Sequence, residues 1–237
     1  MFLLKTDFYQ TFTETRFNQL IKDDDSIWEN NLPKVIEDVS GYLRARYDVT
    51  SIFNSIEEFD FTAAYAIGAR ILFTAETYDD TSTYSTGELV VYSGSIYECT
   101  TDILTPEAWN ASNWEFKALD QSLFYCIEES TANLPTDTAY FTAGDARNLK
   151  LVEVVVDIVI YNILNRLNNI DIPANRKERY DGNDGKQLGG AIGWLKSVQR
   201  GNIEPNLPLL EANQENQTGN IVMHGYAVEI TTKNTSF

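Results

Sequence analysis

Histidine is almost missing from this chain: His224 is the single copy, with no acid or nucleophile motif near it. Hydrolytic triads and most zinc sites draw on histidine, so both chemistries lack their usual material. Phosphate-cradling and dinucleotide glycine patterns are missing as well, as are G-x-S-x-G and H-E-x-x-H. Paired carboxylates stay open, because among 35 acidic residues some always lie close. The reading is nevertheless of a non-enzyme with no cofactor and no metal. Cysteine is scarce too. Cys99 and Cys126 could form one bridge, but two thiols define no disulfide framework, and free buried thiols are the favoured reading. Basic residues are outnumbered, 18 to 35, for a formal charge of −17. That balance excludes a surface that grips nucleic acid by neutralising phosphates. No run approaches the ~20 apolar residues of a membrane span. At the N-terminus, MFLLK carries its charge after a very short apolar stretch, unlike a signal peptide. Synthesis inside the cell is therefore expected.

What is present is a chain of 237 residues, 43% hydrophobic, enough for a core in one large or two small domains. Its dominant feature is the run LKLVEVVVDIVIYNILNRL. There Leu149, Val152, Val156, Val159, Ile160, Ile163 and Leu167 recur at the period of a helical face. A second stripe of Val154, Ile158 and Tyr161 lies opposite, and the adjoining chain looks too short to cover both. This second face is expected to meet a second helix or a neighbouring subunit, which marks the three residues as an oligomer interface. Ile158→Asp is then expected to block assembly more than folding. After a turn at 168–172, Pro173 can open a helix carrying Arg176, Arg179 and Tyr180, and AIGWLKSVQRGNI forms another that ends at Gly201.

Upstream, Thr6 and Asp7 can cap a short helix with Phe8 and Phe12 on one side. A long helix is expected from Trp28 to Tyr47, burying Leu32, Val35, Val39, Tyr42 and Leu43. Pro33 falls in its tolerant first turns, and Arg44 and Arg46 in its last. Asp23, Asp24 and Asp25 lack the alternating spacing of a calcium loop and read as a solvated turn. GNDG at 182–185 fails the same test, since the twelfth position counted from Asp181 is Ile192, and reads as a flexible turn.

From Ile56 the composition changes to short β-rich segments, ARILFTAETY, GELVVYSGSIYECTT, NWEFKAL, SLFYCIEES and AYFTAG, separated by turn residues. A weak repeat lies within them. Ser95 to Cys99, followed by Pro106 and Trp114, is echoed by Ser122 to Cys126, followed by Pro135 and Tyr140. This predicts a pair of similar hairpins with cysteines as small core residues. From Glu204 onward, Pro205 and Pro208 favour an extended path, and IVMHGYAVEI is strand-like. Such an arm either completes a neighbouring subunit's sheet or folds back on its own β segment.

Two resemblances follow from these residues. GDARNLKLVEVVVDIVIYNIL, IPANRKERYDG and AIGWLKSVQRGNI resemble the second half of a phage head-tail connector family. These are adaptor or head-completion proteins, including the Mu-like virion protein group. FLLKTDFYQTF, QLIKDDD and VIEDVSGYLRARYDV, within 2–49, resemble the first half. The matched segments cover roughly half the chain, and the β-rich middle departs from the family pattern. Taken with the β-rich middle and the polar tail, the resemblance leads to an expected α+β architecture: an α-helical connector bundle at 1–58 and 146–203, interrupted by an inserted small β domain at 59–145, with an extended C-terminal arm at 204–237. It also implies a structural virion protein of the neck, made in the host cytoplasm. Such a protein forms a dodecameric ring under the portal protein, meets a tail or stopper protein, and lets DNA pass without specific binding. The alternative is a binding protein whose working part is the insertion. Tyr84 to Tyr92, Gly94, Tyr97, Trp109 and Trp114 resemble a small chitin- or cellulose-binding module. The resemblance implies that Tyr84, Tyr92 and Trp109 stack on a polysaccharide, with Trp109 the ring expected outside; the same aromatics could instead simply fill a small core.

Overall fold

The computed structural model describes residues 1–166, 171–182 and 189–210, and within them the protein is α+β. A 3-10 turn over Lys5–Gln10 leads into α1 (Glu14–Ile21), α2 (Ser26–Glu29), α3 (Leu32–Leu43) and α4 (Val49–Ile52). Short strands follow: β1 (Ile56–Glu58), β2 (Ala64–Tyr65), β3 (Arg70–Phe73), β4 (Glu76–Thr77), β5 (Leu89–Tyr92), β6 (Ser95–Cys99), β7 (Trp114–Leu119), β8 (Ser122–Cys126), β9 (Ser130–Thr131) and β10 (Phe141–Ala143). The chain then returns to helix with α5 (Leu149–Arg166), α6 (Ala174–Asp181) and α7 (Gly190–Gln199).

The helices at the two ends of the chain share one hydrophobic core. Phe8, Phe17, Trp28, Val35 and Val39 from the N-terminal side pack with Val155, Val159, Leu195 and Val198 from the C-terminal side. The single helix expected from Trp28 to Tyr47 is instead two, broken at Asn30 and Asn31, with Pro33 restarting it where no N–H is needed. Asp24 accepts the Ser26 N–H, and Asp25 pairs with Lys5 at 2.8 Å, so this turn closes the entry to α2. In α5 the first residue of the expected stripe, Leu149, is exposed, and Leu167 lies outside the described residues. The Asn148 side chain accepts the Leu151 N–H at the start of that helix. Gly182 and Gly190, both at positive φ, let the ends of α6 and α7 touch, and a Cβ on Gly190 would meet the Gly182 nitrogen at 2.6 Å. Of the GNDG turn, 183–185 lies outside the described residues.

The strands contain one fold twice, the second copy nested inside the first. Two four-stranded sheets have the orders β1-β3-β8-β10 and β4-β5-β6-β7. In each, the first pair is parallel and the next two are antiparallel. Phe141 pairs with Cys126 in one sheet and Trp114 with Cys99 in the other. The Gly68 N–H donates to the Cys126 carbonyl and the Gly87 N–H to that of Cys99, both at 2.8 Å. FDFTAAYAIGARILF (59–73) therefore corresponds to YDDTSTYSTGELVVY (78–92). Each half-repeat is locked alike, because the Tyr65 hydroxyl bonds the Asp60 backbone and the Tyr84 hydroxyl bonds that of Asp79. We call 59–73 with 122–143 the outer copy and 78–92 with 95–116 the inner copy. The inner hairpin closes through Ser93 and Gly94, both at positive φ as a two-residue hairpin turn requires. At the same point the outer hairpin opens to admit the whole inner copy. A bond from the Thr74 hydroxyl to Asp120 at 2.7 Å closes the neck.

The structure corrects one correspondence of the sequence repeat: Phe141, not Tyr140, is the counterpart of Trp114. The two cysteine strands also lie in different sheets, each pairing with its own upstream strand. Both thiols are buried and free, one in each of two separate strand cores. The sheet begins at Ile56, earlier than the expected boundary at 59.

Helical and strand parts are joined at the N-terminus. Met1 and Ile56 exchange backbone hydrogen bonds. Arg147, 5% exposed, donates to the Phe2 carbonyl at 2.9 Å and to both oxygens of Asp7 and of Asp145. Burial opposes its charge, but the bonds to Asp145 and Asp7 outweigh that and push its pKa up. Arg70 reaches the Ser51, Ile52 and Asn54 carbonyls from β3. Of the C-terminal arm, 204–210 lies along the protein's own helices. The Asp48 N–H donates to the Pro208 carbonyl, and Leu209 bridges to Tyr47. The strand-like piece IVMHGYAVEI, to which the two expected paths belong, lies with His224 in 211–237, outside the described residues. Arg147→Ala is expected to cost about 3–5 kcal/mol by leaving the buried Asp7 carboxylate without its partner. Urea denaturation checks it.

Candidate functional site

The three residues expected at an oligomer interface are covered by their own chain. Val154 and Ile158 are buried in the helical core. Tyr161 stacks on Tyr180 of α6 with centroids 3.8 Å apart and planes 4° apart. Of the two covers expected for this face, a second helix or a neighbouring subunit, the first is found, because α6 and α7 both pack on α5.

Beside Val154, a cleft of about 690 Å³ lies between α5, α6 and α7, lined by Lys150, Glu153, Asp157, Arg179 and Trp194 among others. Burial pushes the Asp157 carboxyl up, with Arg179 at 2.7 Å opposing. Lys150 pairs with Glu153 at 2.8 Å. These charges neutralise one another in pairs, an arrangement suited to holding α6 on α5. Burial likewise pushes both cysteine thiols up, away from the thiolate that nucleophilic chemistry needs. Among the described residues no group of His, Cys, Asp or Glu is spaced to hold a metal ion, and no helix is long and apolar enough to cross a membrane.

The inner copy is where aromatic rings gather. Trp109 is half-buried, with Tyr92 stacked on it at 3.9 Å and 7° and Trp114 at 5.1 Å and 14°. Tyr97 and Tyr78 approach it edge-on at 4.9 and 5.1 Å. The ring expected outside is therefore in contact with four others, because a very small β unit has little else to bury. Tyr84, stacked on Tyr78 at 5.2 Å, works through its hydroxyl as the latch on Asp79. Of the three, Tyr92 is the exposed one, at 38%, while Tyr84 and Trp109 are half-buried. Its companion is Phe116, 54% exposed and edge-on to Tyr97 at 5.9 Å. Sequence reasoning missed Phe116, although alternation along Trp114-Glu115-Phe116 puts it on the face of Trp114. Tyr92 and Phe116 are thus the exposed rings of this sheet, on strands two apart, the first stacked on Trp109 and the second edge-on to Tyr97.

Compared with protein-family models, with curated proteins and with solved structures, the chain matches none.

Ile158→Asp is now expected to unfold the protein itself, at a cost on the order of 4 kcal/mol or more for a charge buried without a partner. A lost helical circular-dichroism signal in the purified monomer checks this; a folded variant defective only in assembly contradicts it. In the inner copy, Trp109→Ala is expected to cost roughly 2–4 kcal/mol. Tyr92→Ala should cost about 1 kcal/mol or less, and the two melting curves compare them directly.

Proposed function

We propose that this is a structural virion protein of the head-tail connector type, non-catalytic, acting in the phage neck as a ring between portal protein and tail or stopper protein. In this reading the fold is a helical connector bundle interrupted by an inserted β domain, with a C-terminal arm. One observation carries it: the two segments that resemble the connector family, 2–49 and 148–203, lie far apart in the chain yet contribute to one hydrophobic core. A family unit interrupted by an insertion requires that reunion. The charge of −17 suits a conduit through which DNA passes without being held. Because Val154, Ile158 and Tyr161 are occupied within the monomer, a ring contact would use other surfaces. A cyclic ring needs a heterologous interface, two different patches that meet head to tail.

The test is direct. Negative-stain images and mass measurement of the full chain, alone and mixed with the portal protein of the same phage, are expected to show closed rings in at least the mixture. Mass spectrometry of purified virions is expected to find the chain. Absence from virions together with no annular species in either sample overturns the reading.

A second reading has its own observation. The exposed Tyr92 ring lies flat on Trp109, and Phe116 is exposed two strands away in the same sheet; exposed aromatic rings are what stacking on a sugar needs. On this reading the β part holds a polysaccharide, and a ring of copies multiplies weak contacts by avidity. Binding of the assembled protein to insoluble chitin or cellulose, abolished by Tyr92→Ala, is the expected result. Tyr92 replaces Trp109 as the residue to change, since loss of Trp109 also removes core packing.

A further inference from the structure

Where the two ends of the chain meet, four helices leave an opening between them. A cleft of about 400 Å³ lies among α3, α5, α6 and α7, within the ~300–1,000 Å³ of small-molecule sites. Its floor is apolar, since Val39, Ile158 and Leu195 line it and are themselves buried. Its mouth is polar. Tyr42 and Tyr180 are half-buried at the sides, and Asp38, one turn before Tyr42 on α3, is exposed at the rim. Tyr180 is held in place by its stack on Tyr161. Gly41 also lines the cleft, in the last turn of α3 where glycine is a poor helix former. A Cβ there would meet nothing within 4 Å, so packing among the described residues does not call for the missing side chain. Its absence leaves the mouth open.

The charge at this cleft is of one sign. Among the described residues that line it, Asp38 alone is charged. Among the described residues it also has no ion-pair partner, whereas its neighbour Glu37 takes Arg44 at 2.6 Å. Burial pushes the Tyr180 hydroxyl up, and Tyr161, Asp181, Tyr42 and Asp38 all push it the same way, with no cation opposing them. A lone carboxylate over an apolar floor offers too few hard ligands for a metal ion. We infer that this cleft binds a primary ammonium ion on a short alkyl chain, the group that a free alkylamine and a lysine side chain share. The chain covers the apolar floor. The ammonium donates to the Asp38 carboxylate and to the amide oxygens of Asn162 and Gln199, which also line the cleft, and the tyrosine rings at the sides suit a cation. The inference stands apart from both functional readings above, because it requires neither a ring assembly nor a glycan.

The experiment is saturation-transfer NMR on the full chain with n-butylammonium, n-butanol and methylammonium, in salt that screens general attraction to an acidic surface. Butylammonium is expected to bind at millimolar concentration and the other two much less, since one lacks the charge and the other the chain. Asp38→Asn and, separately, Gly41→Leu are each expected to weaken butylammonium binding by about tenfold or more. Gly41→Leu leaves the net charge unchanged and is expected to raise the melting temperature. Asp23→Asn, which removes the same charge outside the cleft, is expected to leave binding unchanged. A blocked lysine, Nα-acetyl-lysine methylamide, separates the two sources: tighter binding of butylammonium assigns a small molecule, tighter binding of the blocked lysine a partner's side chain. No transfer to either, equal binding of butanol or methylammonium, or undiminished binding in folded Asp38→Asn or Gly41→Leu protein overturns the inference. Both positions are exposed, and if one variant fails to fold the other decides.

Discussion

A helix that is apolar on two faces cannot rest on one surface; it has to be covered from both sides. That constraint, set by α5, organises the helical part of this protein. Leu151, Val155, Val159 and Ile163 need cover as much as Val154 and Ile158 do, and all of them are buried. The N-terminal helices and α6 with α7 close over α5 from different sides. Because the cover for one side comes from residues before the strands and for the other from residues after them, the chain must return to its start. The strands are therefore carried as an excursion that begins and ends at the same place.

That place is Phe2. Arg147 and Arg70 both lie with their guanidinium carbon 5.9 Å from the Phe2 ring centroid, one from the end of the excursion and one from β3 near its beginning. Arg147 also takes the Phe2 carbonyl and the Asp7 carboxylate. A buried guanidinium pays its desolvation only if its donors are filled, and here two carboxylates and a carbonyl fill them. The result ties β10, α5 and the N-terminal segment in a geometry that few other side chains could satisfy.

Nesting one copy inside another is physically undemanding, since a hairpin tip tolerates insertion when the inserted ends are close. The inner copy meets that condition through the bond from Thr74 to Asp120. It also repays the outer copy, whose core includes Ile96 and Ala118 of the inner sheet beside Phe73 and Phe124. The two copies differ in their surroundings. Tyr92 is 38% exposed while its counterpart Phe73 is fully buried.

Composition and local period by themselves determined the mixed α+β class, the apolar character of α5 on two faces, the Gly201 helix end and the β-rich middle. Each depends on residues near one another in the chain, whose geometry a helix or strand sets locally. Half of the repeat was also legible, in the matching Ser-to-Cys strands. The earlier half, Phe59 to Phe73 against Tyr78 to Tyr92, was equally present in the sequence but went unread because its partner strand lies beyond the nested copy. Only the tertiary structure decided what covers α5. Whether Val154 and Ile158 face a partner or their own chain depends on where α6 and α7 return, and a hydrophobic stripe carries no record of its cover. The same holds for Trp109. An aromatic residue in a loop after a proline looks exposed from the sequence, and only the approach of Tyr92, Trp114, Tyr97 and Tyr78 from separate strands and loops makes it part of a core.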